Sequence, residues 1–330
     1  MKIRVALLLC LTLLSCFAAG CDKRVNDSEQ VSPEEKIVIK FSHVVSENTP
    51  KGLAAQRFAT LVKDRTTGRV EVQVFPNSTL YSDGEEIEAL KSGTVQMIAP
   101  TTSKLSRLSP QWQIFDLPFA FNDGNEVHRA MDGPTGEKLL SSLSASNIKG
   151  LAFWDNGFKQ MTNGKRPLIH PEDFGGLIFR VMINSQVLKR QFEQLGAYPV
   201  ETQFNDLYHA LETNLADGQE NTLSNICSKK LYRVQPYLTI SNHGYMGYIV
   251  MTNEKFWSSL PDDVRLTLES TLHEVTEWER QISADKDRES MEEVVSYGKV
   301  QIHHLTVAER NKWIEALQPL YSEFWELTWE

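Results

Sequence analysis

Beyond residue 21 the chain has one cysteine, Cys227. A lone cysteine cannot close an intrachain disulfide, so the fold has to rest on its apolar core. No base-bearing motif surrounds Cys227, which reads as a small apolar residue rather than a nucleophile. Positive charge is scarce as well: 34 Lys and Arg against 43 Asp and Glu leave a net charge of −9. That balance argues against nucleic acid and anionic membrane surfaces as partners, and makes any anion site a local cationic exception. There is no Gly-x-Ser-x-Gly elbow, no His-Glu-x-x-His, no phosphate-binding loop and no dinucleotide fingerprint. The common exported hydrolases and nucleotide enzymes lose their support, although catalysis by scattered residues stays open. His303 and His304 are adjacent and would point oppositely on a strand, so they make a poor metal pair. No cofactor is implied.

Long apolar runs are also missing, with one exception. Lys2 and Arg4 precede the run Val5–Leu14, and small residues follow up to Ala18-Ala19-Gly20-Cys21. This matches an export signal, and it is too short to span a membrane as a helix. Small residues directly before a cysteine resemble a bacterial lipobox, which makes Cys21 a lipidation candidate; ordinary cleavage near Ala19 is the alternative. Asp22 after Cys21 resembles the mark that retains lipoproteins in the inner membrane. Residues 22–36 are polar and read as a flexible tether. The expected location is the periplasm or cell surface.

The body, roughly 295 residues, is long enough for two lobes. Ile37–Phe41 reads as a strand, Thr49 as an N-cap with Pro50 in the first helical turn, and Gly68 as the stop. Val70, Val72 and Val74 alternate as a strand. A helix is predicted over 83–92 before Gly93, and a strand over 95–98. After Gly150 the pattern restarts, with strands at 150–154 and 177–181, a turn at Asn163-Gly164, and helices at 185–195 and 206–213. Alternating β and α elements imply an α/β fold whose ligands sit beyond the carboxyl ends of the strands. Glycine and proline are then absent between Pro261 and Gly298. Either one helix of about 54 Å bridges both lobes, or two helices break near Ser283-Ala284-Asp285. Thr306 with Glu309 forms a capping box for a final helix, whose Trp313, Leu317, Leu320, Phe324 and Trp325 read as core.

Several stretches together resemble the extracytoplasmic binding subunit of tripartite ATP-independent periplasmic (TRAP) transporters, the dicarboxylate-binding type in particular. They are Phe41-Ser42-His43-Val44-Val45 with Thr49-Pro50-Lys51-Gly52; Phe115-Asp116-Leu117-Pro118-Phe119; Trp154-Asp155-Asn156-Gly157-Phe158-Lys159; Gly176-Leu177 with Phe179-Arg180-Val181; Leu195-Gly196-Ala197; Asp217-Gly218-Gln219-Glu220-Asn221; and Phe256-Trp257 with Leu260-Pro261. The likeness runs from about residue 37 to about 320. It implies a two-lobed α/β binding protein with a cleft between the lobes and a long helix bridging both. On that reading 37–156 and about 246–285 form lobe I, and 157–245 and about 286–330 form lobe II. It further implies capture of a small carboxylate, with a C4-dicarboxylate such as malate, succinate or fumarate expected first. Sugar acids and 2-oxo acids are alternatives within the family. The implied partners are the small and large membrane subunits of a gradient-driven permease; a ligand-sensing module for a histidine kinase is the rival outside transport. The resemblance carries a strand-borne arginine onto Arg180, a ligand-contacting asparagine onto Asn221, a cation onto Lys159 and a packing aromatic onto Phe204. Thr222, where many members have proline, and Ile178, where a lysine is frequent, depart from the pattern.

The residues themselves support parts of this reading. Arg180 lies between the apolar Phe179 and Val181, so its guanidinium needs an anion, either a ligand carboxylate or an internal one such as Glu201. Its planar fork fits a carboxylate bidentately. Lys159 reads a second carboxylate or lies on the surface. Thr101, Thr102 and Ser103 follow a predicted strand, and their hydroxyls are candidates for the cleft wall. His43 ends the first strand at the mouth of the sheet. His243 and Tyr245 fall at an expected crossing between lobes, and Trp154 reads as core or cleft wall.

Overall fold

Short apolar runs rich in Val and Ile build a nine-stranded sheet in the computed structural model, which describes residues 36–329. Cys21 and the rest of the leader lie outside the described residues. The strands are β1 (Ile37–Ser42), β2 (Val70–Phe75), β3 (Met97–Ile98), β4 (Ile148–Asn163), β5 (Ile178–Val181), β6 (Tyr198–Glu201), β7 (Gly218–Asn221), β8 (Tyr237–Asn253) and β9 (Gln301–His304). Their order is β2-β1-β3-β8-β4-β7-β5-β6, with β9 beside β8. At one end β2, β1 and β3 run parallel; at the other β7, β5 and β6 do. The long strands β4 and β8 pair antiparallel from Ile148↔Asn253 to Asn163↔Tyr237 and connect the two parallel groups. Each therefore serves both lobes of a two-lobed α/β protein.

The helices are α1 (Pro50–Arg65), α2 (Glu86–Ser92), α3 (Gly124–Asp132), α4 (Pro134–Ser142), α5 (Gln186–Gln194), α6 (Leu207–Glu212), α7 (Leu223–Ser228), α8 (Glu254–Ser259), α9 (Asp262–Tyr297) and α10 (Val307–Trp329). Local chemistry sets several ends. The Thr49 hydroxyl accepts from Gly52 N, Ser185 caps α5 by accepting from Leu188 N, and Gly93 and Gly196 take positive φ as stops. Thr306 and Glu309 close their box in both directions. Differences from the sequence reading are equally local. The helix expected from Asp83 begins at Glu86, because Ser82–Glu85 forms a turn first. The strand expected over 150–154 is 16 residues long, since its polar second half pairs with β8 and β7 instead of meeting water.

Helix α9 is continuous for 36 residues, so no break occurs at Ser283–Asp285. It packs on α1, β4 and α7 and thereby underlies both parallel groups. Its buried polar face is tied to β4: Trp154 Nε1 donates to Thr276 Oγ1 (3.0 Å) and Asp155 N to Glu279 Oε2 (2.8 Å). Trp154 is thus a core residue. Trp313, Leu317, Leu320 and Phe324 on α10 are also buried. Cys227 packs against α9, its Sγ 3.0 Å from Ser290 O, and burial pushes the thiol up to about 12, which leaves it unreactive.

Candidate functional site

Between the carboxyl ends of the two parallel strand groups lies a narrow cavity. One group contributes Val44 and Val45 after β1, Asp83, and Thr101 and Lys104 after β3. The other contributes Arg180, Met182 and Ile183 from β5 and the turn after it, with Phe204, Asn221 and Asn225. Met246 and Tyr248 on β8 complete the wall. Thr101, Arg180, Phe204 and Asn221 are therefore brought together on the wall of one cavity. His43, Thr102, Lys159, His243 and Tyr245 do not line this cavity.

Arg180 is 2% exposed, and its Nε (3.1 Å) and Nη2 (2.6 Å) both donate to Thr202 O. Among the described residues no carboxylate reaches it within ion-pair distance, and Glu201 is exposed at the edge of the sheet. Burial lowers its pKa to about 10, partly offset by the charges of Asp83 and Glu220, so it stays cationic at neutral pH. A buried guanidinium with a backbone acceptor on one side lines the cavity with its remaining N–H donors unassigned to any carboxylate among the described residues.

The other cation on the wall is already compensated. Lys104 Nζ pairs with Asp83 and with Glu86 (2.8 Å), and these charges outweigh its desolvation. Asp83 Oδ2 also accepts from Phe204 N (2.7 Å), so this cluster spans the cleft from one parallel group to the other. Lys51 stands behind the wall: its Nζ donates to Ala99 O (2.7 Å) and lies 3.6 Å above the ring of Tyr248. Burial brings its pKa down to about 7. Neither Asp83, Lys104 nor Lys51 was legible as a site residue, because charged side chains are ordinarily solvated and only tertiary packing buries these three. Asn225 was more accessible to reasoning: it stands four residues after Asn221, just past the Thr222 cap of α7.

Lys159 is fully buried, which corrects the surface alternative. Its ammonium pairs with Glu220 of β7, whose other oxygen meets His243 Nε2 (2.8 Å) and Gln191 Nε2 (3.0 Å). Burial pushes the Glu220 carboxyl up, but Lys159 and His243 more than offset it and hold it well below the usual carboxylate range. Burial lowers the pKa of His243 against the opposing pull of Glu220. The neutral tautomer that satisfies both neighbours carries its proton on Nε2 and accepts at Nδ1 from the Ser241 hydroxyl (2.7 Å). Thr102 is buried at the start of a 3-10 turn, and the Tyr245 ring packs edge-on against Phe158. Ser103 Oγ donates to Asp116 Oδ1 (2.6 Å).

His43 is fully buried just past β1, and its ring has only a weak contact with the Val45 backbone, which opposes part of the shift. Burial, then the charge of Lys51, lowers its pKa from 6.5 to about 3. A folded-state pKa below the unfolded value means the unfolded chain binds the proton first. The associated stability is complete above about pH 6.5 and is lost as pH falls toward 3, at about 1.4 kcal/mol per pH unit. His43→Gln is expected to flatten the decline in denaturation midpoint between pH 6 and 4. Parallel wild-type and variant curves across that range would remove His43 as the cause.

The fold and this cavity together define a class: a two-lobed protein that encloses a small anion in a cleft between α/β halves. The chain belongs to the bacterial extracellular solute-binding protein family 7 (DctP), whose profile matches residues 41–327. It is 47% identical over 305 residues to the C4-dicarboxylate-binding protein DctB of Bacillus subtilis, covering 92% of this chain and 87% of that protein. It is 45% identical to the C4-dicarboxylate-binding periplasmic protein DctP of Rhodobacter capsulatus, covering 88% and 87%. Among solved structures, a TRAP periplasmic solute-binding protein from Shewanella oneidensis with bound succinate superposes with a TM-score of 0.87 at 44% identity. That match covers 89% of this chain and 95% of the other. Among the described residues no helix is long and apolar enough to cross a membrane.

Proposed function

We propose that this protein binds a C4-dicarboxylate outside the cytoplasmic membrane and delivers it, unchanged, to the two membrane subunits of a TRAP permease. The observation that carries the reading is Arg180: a buried cation on the cavity wall with no carboxylate of the described residues within ion-pair distance. Thr101, Asn221 and Phe204 share that wall and would complete the grip on the ligand. Relatives named for C4-dicarboxylates, at 47% and 45% identity, support the same ligand class. Export would follow from the leader, with Cys21 as the lipid attachment point.

The lobes are taken as 37–156 with about 246–285, and 157–245 with about 286–330. Support comes from the slip in β4–β8 register between Asp155 and Gly157. Gly157 has φ +119°, and a Cβ there would stand 2.6 Å from Asp287 Oδ2 on α9. A hinge at this point lets the lobes close on the ligand.

The test is a thermal-shift panel on the mature chain with C4-dicarboxylates, monocarboxylates, sugar acids and 2-oxo acids. A true ligand at 100 times its Kd adds about 2.7 kcal/mol, which raises the midpoint by roughly 5 °C or more. Succinate, malate or fumarate is expected to produce that rise and to be recovered chemically intact. A rise confined to sugar acids or 2-oxo acids would replace the ligand assignment.

A further inference from the structure

Besides Arg180, one more buried cation near the cavity has neither a counter-charge in contact nor access to water. Lys51 sits in the first turn of α1. A Cβ on Gly52 would stand 2.4 Å from Ser46 O, so the chain before the helix closes tightly over this end. The Lys51 side chain is fully buried, its Nζ donates to Ala99 O (2.7 Å), and it lies 3.6 Å above the Tyr248 ring. Among the described residues no carboxylate reaches it within ion-pair distance. A carbonyl and an aromatic face solvate an ammonium less well than water does, which favours the neutral amine.

Charged and titratable groups face Lys51 from several elements. Asp83 and Glu86 are both held by Lys104, which repels Lys51 in turn. Burial and the nearby Asp155 push the Glu279 carboxyl on α9 well up, so it is a poor counter-charge. His43 is kept neutral and burial raises the Tyr248 phenol, so neither bears charge near neutral pH. Desolvation outweighs the remaining pulls and leaves Lys51 at about 7. With Lys51 neutral, the cations Arg180 and Lys104 balance the carboxylates Asp83 and Glu86. A dicarboxylate dianion then brings two unbalanced negative charges into the cavity that Tyr248 lines. Those charges favour the ammonium over the amine on the residue behind that wall.

We infer that Lys51 is the proton-binding residue of capture: it releases its proton in the free protein and takes one up when a dicarboxylate dianion enters the cavity beside Tyr248. The inference rests on the dicarboxylate reading above. The proton comes from the buffer acid, which is left as its conjugate base, and no other bond changes. A group whose affinity for protons rises on binding makes the ligand bind more tightly at lower pH. Affinity is therefore expected to be flat below about pH 7 and to fall above it, by up to about tenfold per pH unit.

Titration calorimetry of the full mature chain with succinate at about pH 8, in buffers of low and high ionisation enthalpy, tests this. Succinate is fully ionised there, so any proton exchanged belongs to the protein. The wild type is expected to take up roughly half a proton or more per succinate bound. Lys51→Met is expected to give the same heat in both buffers and an affinity that no longer falls as pH rises. Binding without buffer dependence in the wild type overturns the inference and leaves the proposed function standing. Undiminished uptake in Lys51→Met also overturns it, and places the proton on another buried group, Glu86 first. Should Lys51→Met fail to fold, wild-type NMR with isotope-labelled lysine decides. One lysine must then titrate near neutrality in the free protein and at higher pH with succinate bound; no such lysine overturns the assignment. Failure of every C4-dicarboxylate to bind would instead overturn the proposed function and this inference with it.

Discussion

Arg180→Ala is expected to lower affinity for the preferred dicarboxylate by two to three orders of magnitude while leaving the ligand-free protein folded. Removing one partner of a desolvated charge pair costs about 2–5 kcal/mol, and each 1.4 kcal/mol is a factor of ten. The apo protein loses little because Arg180 spends its hydrogen bonds on a single backbone oxygen and has only longer-range attraction to Asp83 and Glu220, with no carboxylate of the described residues in ion-pair contact. Deleting it removes a buried charge rather than orphaning one. Arg180→Lys should recover only part of the loss, since an ammonium cannot hold Thr202 O and a ligand carboxylate in the fork geometry of a guanidinium. Calorimetry with the preferred diacid, paired with a thermal midpoint of the free protein, separates the two effects. Affinity within threefold of wild type for Arg180→Ala would dismiss Arg180 as the anion receptor.

Glu220→Gln is expected to have the opposite profile, with the damage falling on stability. Lys159 and Glu220 are fully buried, and the substitution strands the Lys159 ammonium with no counter-charge in contact. Breaking one side of a buried pair costs about 3–5 kcal/mol, a midpoint fall of roughly 10 °C for a chain of this size. The double variant Lys159→Met with Glu220→Gln should regain much of that loss, because neither charge then remains to be desolvated. Thermal denaturation of the two single variants and the double variant forms the cycle. A double variant as unstable as the sum of the singles would mean that the pair is not coupled. Since the Lys159 ammonium faces Glu220 and not the cavity, Lys159→Met is expected to affect dicarboxylates and monocarboxylates alike.

The contrast between Arg180 and Lys159 shows how far the sequence could be read. Both are cations in β-rich stretches, and both were expected to meet ligand carboxylates. Apolar flanks marked Arg180 as buried, and the family resemblance carried a strand-borne arginine onto it. Nothing local showed that Lys159 would meet Glu220, because the two stand 61 residues apart and are brought together by the pairing of β4 with β7. His243 and Gln191 join that network from two further elements. The same limit hid Asp83 and Lys104, whose partnership closes over the cavity through Phe204 N.

By itself the sequence determined what short-range chemistry controls. The caps at Thr49 and Thr306, the glycine stop at Gly93, and the restart of the α/β pattern after Gly150 were all legible. So was the run without glycine or proline that becomes α9. These depend on side-chain oxygens, φ angles and apolar period within a few residues. Local pattern left one helix or two, the resemblance implied one, and the tertiary structure gives the reason α9 is unbroken: its polar middle is held by Trp154 and Asp155 of a strand more than a hundred residues earlier. The tertiary structure alone decided which buried cation pairs with an internal carboxylate, Lys159 with Glu220, and that Arg180 makes no such pair among the described residues. Charge compensation depends on distance in space, and no local pattern in the chain encodes the distance between β4 and β7.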